Sequence, residues 1–100
     1  MTITKTQSGS VITLALEGWL DTVSSAELGN MVESLDGFTE LIFDFDKLEY
    51  ITSAGLRQVA MTARKAASIG ASFRMIHADT NVMTIFEMTQ FNKMFSITAK

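Results

Sequence analysis

Few side chains in this sequence carry catalytic chemistry. Cysteine is absent, which excludes disulfides, thiolate nucleophiles and Cys-based metal sites together. His77 is the only histidine; near the end of an apolar run it reads either as a lone base or as an ordinary strand residue. Asp44, Asp46 and Glu49 could suggest a hard-cation site, but their spacing departs from a calcium-binding loop, and acidic residues at a strand end and loop account for them. No Gly-x-Ser-x-Gly elbow is present. Gly55 and Gly70 stand alone, so neither a phosphate loop nor a dinucleotide fingerprint fits. No metal, cofactor or enzymatic activity is expected. The seven methionines suit either an adaptable binding surface or irregular core gaps.

The informative segment runs from Asp44 to Arg57, where a strand ends and Thr52-Ser53 precede a strongly patterned helix. Two readings of these hydroxyls stand side by side. One is a helix N-cap, expected of the Ser53 hydroxyl and worth about 0.5–2 kcal/mol. The other is a phosphorylation site, because a phosphate there would meet free amides and the positive end of the helix. Trp19, beside the Gly18 turn, likewise reads as a core lid or as an exposed partner anchor. Trp19, Asp21, Ser53 and Ala54 are expected to share one contact patch, with Gly55 leaving room for a close partner backbone.

Positioning these residues requires a regular scaffold. Ile3–Thr6 and Val11–Leu16 alternate as a hairpin around Ser8-Gly9-Ser10. Ser24 and Glu27 have capping-box spacing, and Leu28, Met31, Val32 and Leu35 mark one helical face, predicting a helix over 24–35. Leu41–Phe45 is a nearly continuous apolar run, as in a strand covered on both faces. Leu56, Val59, Ala60, Ala63 and Ala67 mark a second helix over 53–69, ended by Gly70. A strand over 71–77 follows, then a helix over 81–90 capped by Asn81, then a terminal edge strand or a loose tail at 95–98. Leu14, Leu16, Ile42, Phe43, Leu56, Val59, Ala63 and Phe73 are the expected core. The order β-β-α-β-α-β-α-(β) predicts a mixed sheet in an α/β layered domain.

Composition agrees. One hundred residues, 47% hydrophobic and 19% charged with net charge −3, suit one folded domain. The acidic balance disfavours direct nucleic-acid binding. No apolar run approaches the ~20 residues of a membrane helix, and the N-terminus lacks a signal-peptide core. A cytoplasmic, membrane-free protein is expected.

Leu41 to Leu56, LIFDFDKLEYITSAGL, resembles the signature of STAS domains, the family of bacterial anti-sigma factor antagonists. Gly18-Trp-Leu-Asp21 resembles that family's Gly-Glu-Leu-Asp turn, and Val82 to Phe91 its third helix. The resemblance implies a single α/β STAS domain over residues 1–100, with a four- to five-stranded mixed sheet and three or four helices. It puts the phosphoacceptor on Ser53, the second hydroxyl residue on Ala54 and the glycine on Gly55. Thr52 stands where the family has Asp, which removes one negative charge beside the acceptor. The implied function is an anti-sigma factor antagonist that binds an anti-sigma factor kinase through Trp19, Asp21, Thr52, Ser53, Ala54 and Gly55, releases a sigma factor, and is switched off by serine phosphorylation. The alternative is an unphosphorylated interaction subunit of a transport or signalling complex, such as a lipid-transport ABC system.

Overall fold

A computed structural model describes all residues, Met1–Lys100. The chain opens with an antiparallel hairpin, β1 (Thr2–Ser8) and β2 (Val11–Leu20). Helix and strand then alternate: α1 (Thr22–Ser34), β3 (Glu40–Ile51), α2 (Ser53–Ser68), β4 (Ser72–Ala78), α3 (Thr80–Met88), the short α4 (Phe91–Met94) and β5 (Ser96–Ala99). The five strands lie in chain order, β1-β2-β3-β4-β5. β1 is antiparallel to β2, and every later pair is parallel. The expected mixed sheet is therefore present, with five strands and four helices.

Strands that advance in one direction through right-handed crossovers carry their helices on one side. The two faces differ accordingly. One row across the sheet, Lys5, Leu14, Phe43, Met75 and Ile97, meets the helices, and its three central members are fully buried. The adjacent row, Thr6, Thr13, Ile42, Arg74 and Ser96, lies on the opposite face and is mostly polar. Ile42 is buried there, yet lies outside the main hydrophobic cluster. That cluster runs from Ile12, Leu14 and Leu16 through Phe43 and Phe45 to Leu28 and Val32 of α1, Leu56, Val59 and Ala66 of α2, and Val82 and Phe86 of α3.

Several expectations need correction. β3 continues six residues past Phe45, where a loop was expected. Its register against β2 slips by one residue between Ala15 and Glu17 and again between Gly18 and Trp19. Each slip adds a residue to β3. The buried positions Phe45, Leu48 and Ile51 consequently recur every three residues, in place of the strand period of two.

Helix 1 starts at Thr22, two residues early, because Asp21 and Ser24 form the capping box in place of Ser24 and Glu27. Asp79, not Asn81, caps α3. The predicted 81–90 helix ends at Met88, and Gln90 adopts φ +62° before α4 begins. The buried stripe of α2 is Gly55, Leu56, Gln58, Val59, Thr62 and Ala66. Ala63 is only half-buried and Ala67 is exposed. Gln58 and Thr62 were absent from the expected face because they are polar. They are tolerated inside because Thr62 donates to the Gln58 carbonyl at 2.8 Å and the Gln58 amide donates to Thr62 Oγ1 at 3.2 Å. Phe73 packs against the core edge, half-buried, with its ring edge-on to Phe43 at 4.9 Å.

Candidate functional site

Because β2, β3 and β4 are parallel and each feeds a helix, three helix starts line one edge of the sheet. Asp21, Thr52 and Asp79 are their N-caps. The first two are neighbours. Leu20 pairs with Ile51, and the Leu20 carbonyl accepts from both the Thr52 N–H at 3.0 Å and the Thr52 hydroxyl at 3.1 Å. Thr52 thus ties the end of β2 to the start of α2, while its Oγ1 accepts from the Gly55 N–H at 3.4 Å.

This assignment corrects the expectation that Ser53 caps α2. Ser53 is the first helical residue and is exposed. The cap is held by its neighbour, so the Ser53 hydroxyl is not committed to the helix. Ala54 beside it is half-buried.

Gly55 is buried, which corrects the idea that it leaves room for a partner backbone. A Cβ there would stand 2.7 Å from the Leu20 carbonyl oxygen and 2.7 Å from Ile51 Cγ1. Its missing side chain admits β2 and β3 of the same domain.

Asp21 is engaged in a reciprocal cap. Its Oδ1 accepts from the Ser24 N–H at 3.0 Å, and its own N–H donates to Ser24 Oγ at 2.8 Å. The Ser24 backbone N–H first, and second its hydroxyl, which lies 3.0 Å from the same Oδ1, hold the Asp21 carboxyl below the usual carboxylate range. The Ser24 hydroxyl also lies 2.7 Å from the Trp19 carbonyl, so the cap fixes the backbone that presents Trp19.

Trp19 is 54% exposed, which removes the core-lid reading. It follows Gly18, whose φ of +107° is a conformation that residues with a Cβ avoid. Its ring lies 5.1 Å from that of Tyr50, its register partner on β3, and Tyr50 is also 42% exposed. Val23, in the first turn of α1, is 70% exposed. An aromatic pair, an exposed valine and the exposed Ser53 thus share the edge formed by the ends of β2 and β3. Tyr50 and Val23 escaped the sequence reading. The signal for Tyr50 was its place two residues before Thr52, legible only once β3 is carried through to Ile51.

Other candidates fall elsewhere. His77, at φ +62°, is not partnerless: its Nδ1 lies 2.9 Å from Asp44 Oδ1. Asp46 pairs with Lys100, and Asp44, Asp46 and Glu49 do not converge into a group able to hold a metal. No helix is long and apolar enough to cross a membrane.

Comparison with known proteins adds a family to this geometry. The family described as STAS domain matches residues 2–100. A Bordetella bronchiseptica protein named "Putative anti-sigma factor antagonist BtrV" is 25% identical over 101 residues, spanning 97% of this chain and 85% of its own. The crystal structure of an anti-sigma factor antagonist from Mycobacterium paratuberculosis superposes with TM-score 0.87 at 20% identity, covering 99% of this chain and 86% of that one. The Bacillus cell fate determinant SpoIIAA in its phosphorylated form superposes with TM-score 0.76 at 13% identity, covering 99% and 93%.

Proposed function

Since the chain belongs to the STAS domain family, we propose that it is an anti-sigma factor antagonist that binds an anti-sigma factor kinase and is switched off by phosphorylation of Ser53. In this reading the kinase transfers the γ-phosphoryl of ATP to Ser53 Oγ; the O–P bond forms as ADP leaves, and the hydroxyl proton passes to a base on the kinase. The observation that carries the reading is the division of labour between two adjacent hydroxyls. Thr52 does the capping, so Ser53 is modified without removing a structural hydrogen bond. The domain stays folded while its docking edge gains about −1.5 to −2 charges.

An anti-sigma factor as the partner is supported by the relative whose name reads "Putative anti-sigma factor antagonist BtrV". The switch is supported by the phosphorylated form described for a protein of the same fold. The exposed pair Trp19–Tyr50 suits the anchor of a protein interface, where aromatic residues dominate binding energy.

Incubation with the cognate kinase and ATP, followed by peptide mapping, tests the switch. Phosphate on Ser53 is expected. Phosphate on Thr52 alone, or none with a binding kinase, removes the Ser53 switch. Independently, Ser53→Asp should lower partner affinity at least about tenfold, near 1.4 kcal/mol, while Ser53→Ala binds normally and resists inactivation.

A further inference from the structure

On the exposed face of α2, one turn after Ser53, stands Arg57. Both residues are exposed, and their i,i+4 spacing puts them about 5–6 Å apart at Cβ. Helical side chains lean toward the helix N-terminus, so the Arg57 stem inclines toward Ser53. The domain's ion pairs are Lys65–Glu33, Arg74–Glu40, His77–Asp44 and Lys100–Asp46. Arg57 takes part in none of them. A guanidinium suits a phosphate particularly well, because its planar fork donates to two oxygens at once.

We infer that Arg57 receives the Ser53 phosphate within the same helix, so that modification both adds an anion to the docking edge and withdraws a cation from it. This rests on Ser53 being the modified residue. In the unmodified domain the Arg57 guanidinium is available to a carboxylate on the partner; after modification it is held by phosphate. The switch then works through two changes of charge at one turn of helix. Asp21, whose cap begins the neighbouring helix, acts against the pair, since its carboxylate repels the phosphate dianion; the pairing has to outweigh it.

The test needs no kinase, which separates it from the reading it rests on. Phosphoserine is installed at position 53 during translation, in the full chain carrying Arg57, Arg57→Gln, Arg57→Lys or Arg64→Gln. The phosphate is titrated by phosphorus NMR. With Arg57 present, its second ionisation is expected about half a unit lower than in Arg57→Gln. Arg57→Lys should lie between them, and Arg64→Gln, two turns further along α2, should match the unaltered protein. The difference should shrink in about 1 M salt, where screening is short-ranged. Identical titrations with Arg57 and with Arg57→Gln overturn the inference, as does an equal shift on replacing Arg64. If the kinase never modifies Ser53, the antagonist switch fails while this measurement still reports whether the pair forms.

Discussion

At the residue scale, two adjacent hydroxyls take different parts: that of Thr52 donates to the Leu20 carbonyl, and Ser53 is left exposed. Ser53, Trp19 and Asp21 stand out in the sequence because a hydroxyl, a lone Trp and an Asp at turn positions are chemically conspicuous. Which of Thr52 and Ser53 caps the helix was not legible, since either can. The structure decides through the Leu20 carbonyl, thirty-two residues away along the chain, which draws in the Thr52 side chain. Two outcomes follow. Trp19→Ala should weaken partner binding much more than it lowers the melting temperature, because an exposed ring contributes little to the fold; a large loss of stability with affinity intact would return Trp19 to the core. For Asp21, the lowered folded-state pKa means that its stabilisation is present above the ordinary carboxylate range and is lost as pH falls from about 4 downward. Melting temperature followed into acid should drop less steeply in Asp21→Asn than in the unaltered protein.

Elements with one clean period were read correctly from the sequence. The alternation of β2 and the apolar run of β3 up to Phe45 led to the right strands because neither is interrupted. β3 beyond Phe45 failed because its two bulges turn a period of two into Phe45, Leu48 and Ile51. Residues judged by periodicity alone will miss a bulged strand, and here that strand carries Tyr50 to the site. The junction of β2, β3 and α2 also depends on one missing side chain. Gly55→Ala should cost roughly 1–3 kcal/mol in a denaturation experiment, since a methyl meets backbone oxygen there; a neutral result would show that α2 can move away from Leu20. In the opposite sense, Gln90 occupies a left-handed position between α3 and α4 that suits glycine. Gln90→Gly should raise stability by about 0.5–1 kcal/mol, read as a higher denaturation midpoint.

Over the whole molecule, the candidate docking residues gather at an edge and the polar sheet residues spread over a face. The edge where β2 and β3 end presents Trp19, Tyr50, Val23 and Ser53. The face opposite the helices is a field of threonines and short ion pairs, among them Arg74–Glu40 at 3.3 Å. Arg74→Ala should therefore leave partner affinity unchanged in the same binding assay that registers Trp19→Ala; a matching loss would move the interface from the edge onto the sheet.

The agreement between strand order and chain order also bears on how the domain comes into being. No strand waits for a distant partner: each new β-α unit lays itself against the one just completed. Such near-neighbour wiring keeps contact order low for a parallel sheet and shortens the search for native pairings. It also lets assembly keep pace with a ribosome that adds about 5–20 residues per second. The hairpin of β1 and β2 can serve as the first template, and the edge that carries Trp19, Tyr50 and Ser53 is complete once α2 has emerged. The last strand, β5, closes a sheet whose candidate docking edge has already been built.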